Sequence, residues 1–319
     1  MRSLTVVLAL AVGGSAFAEA FPTKPVHLIV GFAPGGAADI IARTMSDPLA
    51  RALGQSVIVE NKPGAGSSVA ADFVARAAPD GYTIIIASQS GMIINPLINK
   101  SVTYNTARDF VALTQVTSSP LVVAVNPSLK VASIADLIAE AKASPGKLNY
   151  ASSGNGSLPH LAATLFCALA GVQMVHVPYK SGGQSVQSVL AGDTQLTFAT
   201  APSVMPLVHS GRLRGIAVTT RARSVLITGL PGMEEAGLPG YNVSIWYGFF
   251  APTGLPRDIA LRLFHATVQA LNDPKLKQVL ASDGTEALAS SSPEAFAAFL
   301  REETEVTARV IRESGAKFD

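Results

Sequence analysis

The stretch VHLIVGFAPGGAADIIA, residues 26–42, begins as an apolar, β-branched run, breaks at a charge-free Pro-Gly-Gly loop, and resumes with helical spacing of its apolar residues. A strand that passes through a glycine-rich loop into a helix is one unit of an α/β fold. The loop has a chemical meaning as well. The first N–H groups of a helix have no partners inside it, and the helix dipole is positive there, so the position favours an anion. The same idea returns in LNYASSGNGSLPHLAATLF, residues 148–166. The two loops lie roughly 120 residues apart, a spacing that suits one loop per domain. Facing each other, they would form a trap for a carboxylate.

Within the first loop, Ala33, Pro34, Gly35, Gly36 and Ala37 offer backbone donors with no bulky side chain in the way, and Asp39 is placed to accept from loop N–H groups. This is not a dinucleotide fingerprint, because G-x-G-x-x-G is absent. In the second loop Ser152, Ser153, Gly154, Asn155, Gly156 and Ser157 add hydroxyls and an amide, and Pro159 falls where a first helical turn belongs. No Gly-Lys-Ser/Thr follows, so it is not a nucleotide P-loop. Three further strand ends are cleft candidates, since ligands of open α/β sheets bind beyond the carboxyl ends of strands. These are Ser88, Gln89 and Ser90; Tyr179 with Lys180; and Thr200 and Ala201, continuing to Ser203. Tyr179 reads equally as a ligand wall or a structural residue, and Lys180 as a solvated or interdomain charge. His160, with no second titrating group tied to it, reads as a packing histidine, and the turn at 61–68 as the start of the next helix.

Outward from the loops, short aliphatic runs at 26–32, 57–60, 83–87, 121–125, 148–151, 174–177, 196–199 and 215–219 alternate with helical stretches such as 134–143, capped by Ser133. That alternation predicts parallel sheets with crossover helices. The tail changes character, with helices at 256–272, 274–282 and 293–314, the last carrying Phe296, Phe299, Leu300, Val306 and Val310 on one face. No polar linker divides the chain, so strands must pass between the domains, with 121–126 and 247–252 as the crossing points.

The 319 residues are 48% hydrophobic and 14% charged, which excludes a disordered chain and leaves room for two cores. Residues 1–18 combine Arg2, an apolar segment at 4–12 and small residues around Phe17, the pattern of a secretory signal cleaved after Ala18 or, alternatively, Ala20. A periplasmic protein is expected. The single Cys167 allows no internal disulfide and is not placed for lipidation, and its apolar neighbours mark it as buried and inert. The net charge of +2 falls by one with Arg2, so nucleic acid is not an expected partner.

The search for catalysis returns absences: no G-x-S-x-G, no H-E-x-x-H, and five histidines without metal-ligand spacing. No catalytic residue, metal or cofactor is therefore expected. A hydrolase using Ser152 or Ser153 would lack a paired base.

Taken in order, FAPGGAAD, ENKPGAGSSVAADFVARAAPDGYT, LNYASSGNGSLPHLAA, VHVPYK, GRLRGIAVTT and EEAGLPGYNVSIWYGFFAPTGLP resemble the Bug family of periplasmic solute receptors that serve tripartite tricarboxylate transporters. The resemblance runs from about residue 22 to the C-terminus. It implies a type II periplasmic-binding-protein fold, two α/β domains joined by crossing strands around a ligand cleft. It further implies flytrap closure on a small organic carboxylate, gripped by the loops at 33–39 and 152–157, and delivery to a membrane permease. The expected division is a signal at 1–18, one domain made of 22–122 and 248–319, and a second at 123–247, in a monomer. A periplasmic sensor acting on a signalling partner would share this fold and ligand. Two departures from the family pattern stand out. YKSGGQSV at 179–186 replaces a usual Pro-containing sequence and adds Ser181 near the cleft, and 225–228 lacks a usual Pro-containing turn.

Overall fold

The computed structural model describes residues 21–314, so the predicted signal at 1–18 and both of its cleavage sites lie outside the described residues. The chain opens with β1 (Val26–Val30), α1 (Ala37–Leu53), β2 (Val57–Asn61), α2 (Ser68–Ala75) and β3 (Thr83–Ser88). β1 lies between β2 and β3 and pairs with both in parallel, as crossover helices require. Short helices α3 (Asn95–Ile98) and α4 (Thr106–Asp109) lead into β4 (Phe110–Val125), a strand of 16 residues.

The second lobe repeats the first. α5 (Ile134–Ala143), β5 (Asn149–Ser152), α6 (Leu158–Ala170), β6 (Val175–Pro178), α7 (Gly182–Ala191), β7 (Leu196–Thr200), α8 (Ala201–His209) and β8 (Arg214–Val218) follow in order. β5 pairs in parallel with β6 and β7. The chain then returns through β9 (Ser244–Pro252) to α9 (Arg257–Leu271), α10 (Pro274–Ser282), β10 (Glu286–Ala287) and α11 (Pro293–Ser314).

The sheet order is β2-β1-β3-β9-β4-β7-β5-β6. The expected parallel strands are thus joined by an antiparallel element, β4, which belongs to both lobes. Its residues 110–120 pair with β9, and its residues 121–125 pair with β7 and β8. The switch falls at Pro120–Leu121, where Pro has no N–H to give to a ladder. The Leu121 N–H donates instead to Thr219 Oγ1 at 2.8 Å, and the Thr219 hydroxyl reaches the Val243 carbonyl at 2.8 Å. One side chain therefore ties the outgoing passage to the returning one. Among the described residues β9 pairs only with β3 and β4 of the first lobe, so the return passage is made by the segment between Thr219 and Ser244, ahead of the predicted 247–252.

Helix boundaries follow local chemistry. Ser133 accepts from the Asp136 N–H at 3.1 Å at the start of α5, and α6 ends at Gly171 in the left-handed conformation. Ile41, Met45, Leu49 and Leu53 of α1 are all buried. On α11, Phe296 and Leu300 are buried against the Trp246–Phe250 ring cluster, but Val306 is 46% exposed, so the predicted apolar face holds in the first turns and not at that position. The main hydrophobic core runs through both lobes, from Leu28 and Ile41 to Phe166 and Phe198.

Candidate functional site

The two glycine-rich loops emerge at the carboxyl ends of β1 and β5, and the lobes meet there. The Ala33 N–H donates across the seam to the Lys180 carbonyl at 3.3 Å, and the Leu158 N–H at the start of α6 donates to Ser90 Oγ at 3.0 Å. Gly183 lies against the Gly35 backbone so closely that a Cβ built on it would fall 2.6 Å from the Gly35 oxygen. Only glycine permits that approach.

Between these contacts lies a cavity of about 20 Å³, room for a water molecule. Both lobes line it. Phe32, Gly36, Ala37 and Ala38 come from the first loop and α1, Ser88 and Ser90 from the end of β3, and Ile245 and Tyr247 from β9. Ser153, Pro159, Gly182 and Thr200 come from the second lobe. Two helices begin here without a side-chain cap, α1 at Gly36 and α8 at Thr200. In α1 the first regular helical bond runs from the Ile40 N–H to the Gly36 carbonyl, leaving the amides of Ala37 and Ala38 ahead of it. Among the described residues no Asp, Glu, Lys, Arg or His lines the cavity. Its donors are backbone N–H groups and hydroxyls, a set suited to one anionic group.

The loops are braced from behind. Asp39 is buried, and its carboxylate accepts from the Gly35 N–H at 3.0 Å, Arg43 Nε at 3.0 Å and Asn61 Nδ2 at 2.9 Å. Burial pushes its pKa up, but Arg43, the Gly35 N–H and Asn61 outweigh this and hold it below the ordinary carboxylate value. Asn61 also donates to the Phe32 carbonyl, so the ion pair fixes both ends of the loop. In the second lobe, Ser152 Oγ accepts from the Gly154 N–H at 3.1 Å and lies 2.6 Å from His176 Nε2. His176 stacks on His160, ring centroids 3.8 Å apart, and on Tyr150 at 5.0 Å. Burial holds both histidines neutral, with pKa values lowered to about 4 for His176 and about 3 for His160, the latter aided by its neighbour. His160 is thus tied to a second titrating group, contrary to the sequence expectation.

The predicted residues divide accordingly. Gly36, Ala37, Ser88, Ser90, Ser153 and Thr200 line the enclosed cavity. Pro34, Gly35 and Tyr179 lie on an outer groove with Gln184 and Asp193, and Asn155 and Gly156 on another with Asn95 and Lys100. Ser157 caps α6, and Ala201 is the buried first residue of α8. Gln89 is buried, with its amide joined to the Ser244 carbonyl and the Trp246 N–H. Cys167 is half-buried, with its thiol pushed up to about 11 by burial. Sequence reading missed Phe32, Pro159, Gly182, Ile245 and Tyr247 as lining residues, whereas Ala38 falls within the loop at 33–39 that the family resemblance implied. The alternation of Ile245 and Tyr247 in an aromatic strand was visible, but the pairing that sets that strand beside β3 was not.

A larger groove of about 490 Å³ lies beside the β4 switch. Its Arg221 and Arg223 are paired with Glu234 and Glu235. Among the described residues no cluster of His, Cys, Asp or Glu could hold a metal ion, and no helix is long and apolar enough to cross a membrane.

The model of the tripartite tricarboxylate transporter family receptor matches residues 41–316. BugT of Bordetella pertussis is 34% identical over 301 residues, 94% of this chain and 92% of BugT. The structure of R. palustris Rpa4515 with adipate is 33% identical and superposes with a TM-score of 0.89, covering 92% of this chain and 98% of that one. The periplasmic binding protein BugD, 29% identical, also gives a TM-score of 0.89 over 93% of this chain and 99% of its own. With its mixed α/β periplasmic-binding-protein fold, the chain belongs to the tripartite tricarboxylate transporter receptor family, a family of solute receptors and not of enzymes.

Proposed function

We propose that this receptor works in the periplasm as a monomer, capturing a small organic carboxylate between its lobes by flytrap closure and delivering it to a tripartite tricarboxylate-type permease. The observation that carries this reading is the meeting, in one enclosed cavity free of charged side chains, of two uncapped helix N-termini with hydroxyls from both lobes. Charge-assisted hydrogen bonds of about 1.5 to 3 kcal/mol each offset the hydration that a buried carboxylate loses. Adipate, a carboxylate, accompanies the related Rpa4515. The seam contacts at Ala33, Ser90 and Gly183 support closure of the lobes on one another, with the ligand entering when they part. The proposed bodies are 22–122 with 248–319 on one side and 123–247 on the other, moving about the paired passages at Leu121 and Thr219. A ligand that touches both loops favours closure by the contacts it makes only there.

Calorimetric titration of the mature protein with a panel of organic acids tests capture. At least one acid should bind and be recovered unchanged, whereas turnover or the absence of any binding would sink the reading. Gly36→Pro removes one N–H at a residue whose φ of −87° lies near that of proline. It should weaken binding on the order of tenfold while the melting temperature of the free protein stays in place.

A further inference from the structure

Sequence reading gives the turn at 61–68 no task beyond starting α2, but its backbone is unusual. Gly64, Ala65, Gly66 and Ser67 all have positive φ, and among the described residues Ala65 and Ser67, at 43° and 83°, are the only non-glycine residues that do. A side chain in that conformation meets a steric cost that glycine escapes. Ser67 carries a second cost. It is fully buried, and its hydroxyl has no hydrogen-bond partner among the described residues, where a buried hydroxyl ordinarily has one. Two local costs at one residue point to a gain elsewhere.

The surroundings of Ser67 show where that gain lies. Its side chain fills the space between two glycines: a Cβ built on Gly31 would collide with the Ser67 hydroxyl, and one built on Gly91 would fall 3.1 Å from the Ser67 Cβ and Oγ. Gly31 directly precedes Phe32 and Gly91 directly follows Ser90, and both Phe32 and Ser90 line the enclosed cavity. Gly91 belongs to a π-helical turn at Ser90–Ile94, an irregularity frequent at functional sites. On its other side the strained turn reaches the second lobe. A Cβ on Gly66 would lie 2.9 Å from the Asn155 carbonyl oxygen, and the Gly66 carbonyl accepts from Asn95 Nδ2 at 2.9 Å. Asn95 in turn lies against Gly156, where a Cβ would fall 2.5 Å from its Oδ1. The turn therefore touches the first loop, the end of β3 and the second loop at once.

Building on the carboxylate-receptor reading, we infer that the turn at 64–67 is a strained spacer between the ligand-facing segments and that Ser67 is its positioning residue. Ser67 does not itself line the cavity. It holds Gly31 and Phe32 apart from Ser90 and Gly91, while Gly66 sets the distance at which the second loop docks. Glycine at position 67 would relax the backbone and empty the space, letting the two segments close on each other and move their donors off the ligand. Binding and stability are therefore opposed at this residue, as they are not at an ordinary packing serine.

The test compares the full mature chain with Ser67→Gly and Ser67→Ala, by thermal unfolding without ligand and by calorimetric titration with adipate, malate, glutamate and benzoate. Ser67→Gly should melt higher than the native protein, because glycine takes the left-handed conformation without strain. It should also bind the tightest of the four acids on the order of tenfold more weakly. Ser67→Ala keeps the Cβ and the strained backbone, and should retain more affinity than Ser67→Gly. A melting temperature that stays or falls in Ser67→Gly would overturn the strain, and unchanged affinity in that variant would overturn the positioning role. A loss in Ser67→Ala as large as in Ser67→Gly would overturn the spacer, since the Cβ would then hold nothing apart. Failure of all four acids to bind the native protein would overturn the carboxylate reading and the positioning role with it, while the melting temperatures still decide the strain.

Discussion

The two glycine-rich loops rest on different supports. In the first lobe the loop is braced by an ionised group: Asp39 is buried and tied to Gly35, Arg43 and Asn61. In the second lobe the brace is neutral, Ser152 against His176 with His160 stacked behind. The difference teaches that a glycine-rich loop at the start of a helix does not need a charge behind it, only partners that fix its shape. An ionised brace resists acid down to the range of its depressed carboxylate. A brace of buried neutral histidines becomes vulnerable at much milder pH.

The widest test of this contrast is Asp39→Ala. It removes three hydrogen bonds and leaves Arg43 without its carboxylate, so stability in urea should fall by about 2–3 kcal/mol. A loss no larger than that from removing an ordinary helix cap would mean that the first loop is shaped by its glycines alone.

Acid titration of the native protein comes next. Unfolded histidines take up protons near 6.5, whereas folded His176 and His160 resist until about 4 and about 3. The unfolded chain therefore binds more protons between those limits. The stability contributed by the neutral pair is whole above about pH 7 and declines as pH falls toward 4. Going from pH 7 to pH 5 should cost on the order of 2 kcal/mol for each of the two histidines, read as a lowered urea midpoint, and His176→Gln should flatten part of that slope. A pH-independent midpoint over this range would erase the distinction between the two braces.

The smallest expected effect is that of Ser157→Ala. The hydroxyl accepts from the His160 N–H at 3.4 Å, and its loss should cost about 1 kcal/mol with the pH slope intact. A changed slope would place the cap inside the histidine network rather than beside it.

Much of the fold could be read from the chain because its signals are local. The helices at 274–282 and 293–314 and the cap at Ser133 lie where periodicity and capping chemistry put them. β4 was half legible: 121–125 reads as a strand, but 110–120, with Thr114, Gln115, Thr117, Ser118, Ser119 and Pro120, does not look like one. Those polar residues are accommodated because the segment crosses between sheets. In the site, the residues at strand ends were found, since each follows its own strand. Ile245 and Tyr247 were missed because their place depends on pairing with a strand more than 150 residues away in sequence. Ser152 and His176 meet through the register of β5 and β6, which no spacing rule encodes.

β4 carries a consequence for how such a receptor can change over generations. One strand supplies ladder partners to both lobes, and the lobes share a continuous core. Losing a single residue near Pro120 would shift one lobe's pairing by one position relative to the other and turn its inward-facing side chains outward. Neither lobe is then a cassette that recombination can exchange. New tastes for ligand must arise by substitution at positions on the seam, one side chain at a time.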